Sequence, residues 1–127
     1  MSDHFPITIY HNPACGTSRN TLELIRAAGY APNVVEYLKV GWTRANLVSL
    51  FKTMGVRPRE VMRERGSPAA ELGLLSPEAT DDQILDAMVA NPILVNRPIV
   101  VTLRGAKLTR PAERVLDLLE RQPAAKA

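Results

Sequence analysis

Cysteine is almost missing from this 127-residue chain, which has Cys15 alone beside two histidines. One thiol cannot close an internal disulfide, and with two imidazoles it leaves too few soft ligands for a structural zinc site. No bound metal or cofactor is expected, and a reducing, cytoplasmic setting is the simplest one. Aromatic residues are scarce at 5% and the bases are dispersed, which argues against nucleic acid as a partner. Long apolar runs are missing too: Ile93-Leu94-Val95 and Ile99-Val100-Val101 are far too short to cross a bilayer. The start, Met1 to Pro6, has no basic stretch followed by an apolar one, so no secretory signal and no membrane partner are expected. No Gly-rich Rossmann or P-loop pattern is present. A phosphatase loop of the Cys-x5-Arg kind would need arginine at position 21, where Thr21 stands.

What is present matches an ordinary globular chain, 46% hydrophobic and 23% charged. One domain is predicted over 1–121, with a helical insertion at about 43–91 and a flexible C-terminal tail at 122–127. A monomer is the default, since no exposed apolar seam is evident. The formal net charge is +3, and twelve of the sixteen basic residues are arginine. Arginine grips oxyanions in a bidentate way. GC-rich coding also raises Arg together with Ala and Pro, so each arginine has to be judged by its context.

Ile7 to His11 reads as a strand, and Asn12-Pro13-Ala14-Cys15-Gly16 as a turn. A helix is predicted from about Thr17 to Ala28, with Leu22, Ile25 and Ala28 on its buried face and Gly29 as its stop. A second strand is predicted over Asn33 to Leu38. Strand, helix, strand implies parallel pairing through a crossover. Thr43 is placed to cap a helix that ends at Gly55, and a shorter helix is predicted over Arg59 to Glu64. Thr80-Asp81-Asp82-Gln83 has the form of a capping box. Ile99 to Leu103, Gly105 and Lys107 to Thr109 read as a β-hairpin. Pro111 is expected at the first position of a final helix whose buried face is Val115, Leu116, Leu118 and Leu119. The order is βαβ, helical insertion, ββα, that of an α/β thioredoxin/glutaredoxin-like fold.

Cys15 is predicted at the N-terminus of the first helix, where unpaired N–H groups and the helix dipole favour a thiolate. Arg19 adds positive charge if its side chain folds back. The same helix end can cradle an anion through the N–H groups of Gly16, Thr17 and Ser18 and two hydroxyls, although Thr17 and Ser18 are also ordinary capping residues. His11, four residues earlier, can tune the thiolate, shuttle protons or make a structural hydrogen bond. Ser18 stands where a Cys-x-x-Cys motif would have its second cysteine, so disulfide chemistry at Cys15 needs a thiol from outside.

Ile9 to Asn20 (IYHNPACGTSRN) closely resembles the active-site segment of the glutaredoxin-dependent arsenate reductases. Asn91 to Val101 (NPILVNRPIVV) resembles their second signature, and Glu71-Leu72-Gly73-Leu74 with Thr80 to Gln83 resembles their middle segment. The resemblance implies that Cys15 attacks arsenate, that Arg63, Arg97 and Arg110 surround the oxyanion, and that His11 and Ser18 influence the thiolate. It implies a cis peptide at Pro98, facing the cysteine. It further implies glutathione as co-substrate and glutaredoxin as partner, with arsenic(III) held on Cys15 until arsenite leaves. Arg110 also precedes Pro111 at a predicted helix start, which favours anions. Arg63 has only the resemblance behind it, because Arg57, Arg59 and Arg65 look the same from sequence. Two alternatives stay open: a non-catalytic relative of this fold that binds RNA polymerase, and a generic glutathione-dependent thiol transferase. The first commonly carries Cys-x-x-Cys, which Ser18 speaks against. The second needs Cys15 but not the three arginines together.

Overall fold

The computed structural model describes residues 5–123. The chain forms two compact units, one ending at Glu36 and resuming at Arg97, the other spanning Tyr37–Asn96. In the first, β1 (Thr8–His11) is followed by α1 (Gly16–Ala27) and β2 (Asn33–Glu36), and later by β3 (Ile99–Thr102) and β4 (Gly105–Leu108). The sheet order is β2-β1-β3-β4. β1 and β2 are parallel, with Ile9 opposite Val34, and the other two pairings are antiparallel. This is the βαβ and ββα arrangement read from the sequence. Among the described residues, no helix is long and apolar enough to cross a membrane.

Alternation along the first strand puts Ile7 and Ile9 into a core with Leu22 and Ile25 of α1, Val100 of β3 and Val115. Gly29, at φ +93°, follows the helix where its stop was expected. The C-terminal end of the unit is tied down at Arg121, whose N–H donates to the Tyr30 hydroxyl at 2.9 Å and whose guanidinium lies 4.5 Å above the Tyr30 ring. The tail expected at 122–127 lies largely outside the described residues, and Gln122 still donates to Leu116 O at 3.0 Å.

The second unit holds α2 (Tyr37–Val40), α3 (Arg44–Met54) and α4 (Asp81–Ala90). Thr43 caps α3 by accepting from the Asn46 N–H, and Gly55 closes it in the left-handed conformation. The capping box at Thr80 and Gln83 forms as expected. Arg44 bridges Asp82 and Asp86.

Three expectations need correction. The second strand stops at Glu36, two residues short, because the chain winds into α2. Burial of Tyr37 against Trp42, with ring centroids 5.4 Å apart, overrides the local strand preference. The short helix expected over Arg59 to Glu64 is a 3-10 turn over Pro58–Val61. Met62 leaves it to pair with Val95, and the Arg63 N–H goes to Leu94 O at 2.7 Å instead of into a helix. The final helix is also 3-10, over Ala112–Leu118, with Pro111 flanking it rather than opening it. Its buried residues Ala112, Val115 and Leu118 recur every third position, the repeat of a 3-10 helix.

Ile25 has 0% exposure in the core beneath α1. Ile25→Ala is expected to lower unfolding free energy by about 2–5 kcal/mol, read from urea midpoints. A loss under about 1 kcal/mol would mean that this core does not anchor the helix.

Candidate active site

The turn after β1 is built by Asn12. Its side-chain oxygen accepts from the Ala14 N–H at 3.0 Å, and its carbonyl accepts from the Cys15 N–H at 3.0 Å. Cys15 is therefore the N-cap residue of α1, in extended conformation, with its carbonyl already taken by the Arg19 N–H. The next three N–H groups, of Gly16, Thr17 and Ser18, have no acceptor within the helix. Gly16 is exposed, Thr17 half-buried, and Ser18 buried.

Behind this turn, Ser18 Oγ accepts from the Asn12 N–H at 3.0 Å and lies 2.6 Å from His11 Nδ1. The Asn12 bond leaves the Ser18 proton available to the lone pair of a neutral imidazole. His11 thus acts on the thiol region through Ser18, and no hydrogen bond joins it to Cys15 directly. Burial holds the His11 pKa below its ordinary value. Glu36 opposes that shift, while Arg26 and Arg19 add to it. Arg19 does fold back, donating to Pro13 O at 2.9 Å, but its charge is felt at His11 and not at Cys15.

Arg97 and Arg110 come to the cysteine from the other half of the sheet unit. Both precede cis prolines, Pro98 and Pro111. The Arg110 guanidinium points at the Cys15 sulfur from 3.7 Å and also donates to Arg97 O at 3.2 Å. Burial is the largest single influence on the Cys15 thiol and pushes its pKa up. The backbone N–H of Ser18, the charge of Arg97 and hydrogen bonds from Arg110 and Arg97 together outweigh it, so the net pKa is lowered. The Ser18 N–H acts at the sulfur although Cys15 makes no capping hydrogen bond of full geometry.

Of the predicted site residues, His11, Cys15, Gly16, Thr17, Ser18, Arg97 and Arg110 lie in the sheet unit. Arg63 belongs to the Tyr37–Asn96 unit, where its Nε donates to Arg65 O at 2.7 Å. Two of the arginines that look alike in sequence separate here. Arg57 pairs with Asp81 at 3.0 Å, and Arg59 ties down the carbonyls of Leu74, Ser76 and Ala79. The last helix, at whose start the sequence places Arg110, is a seven-residue 3-10 helix flanked by Pro111. Sequence reasoning missed two buried threonines behind the site, Thr21 and Thr109. The only signal was a hydroxyl at position 21 beside the apolar face of α1 and another next to Arg110.

Two outcomes follow from the electrostatics. Cys15 alkylation by iodoacetamide is expected to titrate below the usual cysteine value of about 8.5, and Arg110→Ala to raise the midpoint by about half a unit or more. An unshifted midpoint in that variant would remove Arg110 from the thiolate's support. For His11, the folded pKa lies below the unfolded value of about 6.5, so the folded state binds fewer protons and its stability falls as pH drops below that value. Urea midpoints at pH 7 and pH 5 should show the gap between the parent protein and His11→Gln narrowing at the acid end. An unchanged gap would contradict a neutral, buried His11.

A family model described as the ArsC family matches residues 10–118. An arsenate reductase of Synechocystis sp. is 60% identical over 118 residues, covering 93% of this chain and 84% of its own length. An arsenate reductase of Rhizobium meliloti is 56% identical over 113 residues, covering 89% of this chain and 81% of its own length. The solved arsenate reductase from Vibrio cholerae superposes with a TM-score of 0.87 at 37% identity, covering 92% of this chain and all of its own. Matched by one family model across both sequence signatures, and by relatives and a solved structure over nearly its whole length, the chain belongs to the ArsC family.

Proposed function

We propose that this protein reduces arsenate to arsenite in the cytoplasm, with Cys15 as nucleophile and glutathione and glutaredoxin as the source of electrons. One observation carries the reading: the single thiol sits at a helix N-terminus with the Arg110 guanidinium 3.7 Å from its sulfur. A nucleophile and a cradle for a tetrahedral oxyanion are thereby supplied at one spot. The relatives' shared description as arsenate reductases supports arsenate as that oxyanion. The lone cysteine calls for a thiol from outside, and the resemblance to the glutaredoxin-dependent arsenate reductases points to glutathione and glutaredoxin as its source.

The N–H groups of Gly16, Thr17 and Ser18 receive the arsenate oxygens, with Arg97 and Arg110 neutralising their charge. Arg63 is a further candidate on the strength of the family resemblance alone. The Cys15 thiolate attacks arsenic, forming a sulfur–arsenic bond as one oxygen is protonated and leaves as water. Charge builds on the remaining oxygens at this step, where fixed donors are most effective. The glutathione thiol then displaces a second oxygen as water. A glutaredoxin thiolate attacks the glutathione sulfur and breaks its bond to arsenic. That electron pair stays on arsenic, which falls from the +5 to the +3 state, and the oxidation leaves as a glutaredoxin–glutathione disulfide. Water finally cleaves the bond between Cys15 and arsenic(III), releasing arsenite and restoring the thiol. The cations around the sulfur favour its charged form.

The test is NADPH oxidation in a mixture of arsenate, glutathione, glutaredoxin and glutathione reductase. Turnover should require arsenate and vanish in Cys15→Ser, while Arg97→Ala, Arg110→Ala and Arg63→Ala each lower kcat/KM roughly 10²-fold. Turnover with thioredoxin and its reductase but not with glutaredoxin would overturn the electron source and keep the reaction. No arsenate-dependent turnover, with Cys15 still forming a glutathione disulfide, would replace the reading by general thiol transfer.

A further inference from the structure

Two threonines behind the site take no part in the chemistry described above, yet they join all three segments that carry it. Thr21 on α1 and Thr109 just after β4 each have 0% exposure. Their hydroxyl oxygens lie 3.2 Å apart. Thr21 donates its only proton to Thr17 O at 2.9 Å, so Thr109 must supply the proton between the two hydroxyls. Thr109 Oγ1 also stands 3.3 Å from Pro98 O, and the Thr109 N–H bonds that same carbonyl at 2.9 Å. The Thr109 hydroxyl has one proton for two acceptors, so the path from the Thr17 carbonyl runs through two hydroxyls to Thr109 and reaches the Pro98 carbonyl by the Thr109 N–H. Thr17 is two residues from Cys15, Pro98 follows Arg97, and Thr109 precedes Arg110.

Thr21 is buried alongside Leu22 and Ile25, on the packed side of α1 where an aliphatic side chain would be the cheaper choice. A hydroxyl differs from a methyl of the same size in fixing direction as well as distance. Apolar contacts between a helix and a loop tolerate sliding, and a bonded hydroxyl pair does not. The site is sensitive to such sliding. At 3.7 Å, the Arg110 contact to the Cys15 sulfur is near the outer limit for a sulfur hydrogen bond, so a small shift of α1 against the arginine segments breaks it.

We propose that the Thr21–Thr109 hydroxyl pair is a positioning device that holds the Cys15 end of α1 in register with the Arg97 and Arg110 guanidinium groups. The pair touches no reacting atom and acts through the segments it joins. The groups it aligns around the sulfur are the Ser18 N–H and the two arginines, with His11 held behind them by Ser18. Its kinetic consequence rests on the arsenate-reductase reading, but its effect on the thiol does not.

The test titrates Cys15, the chain's one thiol, by iodoacetamide alkylation rate against pH in the full-length protein. Thr109→Val and Thr21→Val should each raise the midpoint by about half a pH unit, and Thr109→Ser should keep the parental value. The double valine variant should shift no further than either single one, because both break the same path. In the coupled assay, the valine variants should raise KM for arsenate about five-fold with a smaller change in kcat, and Thr109→Ser should stay within about two-fold of the parent. A parental midpoint in Thr109→Val overturns the proposal, as does a valine-like midpoint in Thr109→Ser. If the valine variants fail to fold by circular dichroism, the Thr21→Ser/Thr109→Ser double variant decides. It keeps both hydroxyls and loses both methyls, so a parental midpoint supports the device and a raised one assigns the effect to packing. Absence of arsenate turnover in the parent would defeat the proposed function and leave the titration as the judge of this inference.

Discussion

The sheet unit is arranged around one electrostatic problem, a sulfur that is buried and yet held toward its charged form. Cys15 is only 8% exposed, and burial alone would keep the thiol protonated. The opposing contributions come from separate parts of the chain: the first turn of α1, Arg97 before β3, and Arg110 after β4. No single hydrogen bond or charge among them matches the desolvation. Together they lower the pKa, so the thiolate depends on the sheet having closed correctly around it.

That dependence gives the surrounding structure its purpose. The Asn12 turn sets where α1 begins, and hence which N–H groups remain open toward an anion. His11 and Ser18 pin the turn from behind with a neutral imidazole, which leaves the positive charge at the mouth of the site to arginine. The Arg110 bond to Arg97 O links the two cationic segments to each other as well as to the sulfur. In the function proposed above, these fixed donors meet the oxyanion, which is where preorganised donors contribute most to catalysis.

Arginine abundance, by contrast, has mixed causes. Arg44, Arg57 and Arg59 neutralise aspartates or satisfy loop carbonyls inside the helical unit. Arg121 stacks on Tyr30 and closes the end of the sheet unit. Arg97 and Arg110 act on the Cys15 sulfur, a group whose charge state matters for chemistry. Composition could not distinguish these uses, because a guanidinium looks the same in sequence whether its partner is a carbonyl, a carboxylate or a thiolate.

Local rules were enough to read the sheet strands, α1 with its cysteine at the N-terminus, the caps at Thr43 and Thr80, and the hairpin around Gly105. Each depends on residues within one turn or one hairpin of each other, so spacing and capping chemistry reveal them. The elements that departed from expectation are those whose form is set by packing beyond the local pattern: Tyr37 buried against Trp42, Met62 paired with the distant Val95, and the last helix following a three-residue burial repeat. The sequence by itself determined the single cysteine, its place at a helix N-terminus and the lack of a second thiol. Only the tertiary structure decided that Arg110 reaches the sulfur, that His11 bonds Ser18 rather than Cys15, and that Thr21 meets Thr109 across 88 positions of chain. The physical reason is that a hydrogen bond requires atoms within about 3.5 Å, and for groups so far apart in the chain that closeness exists only after the core has formed.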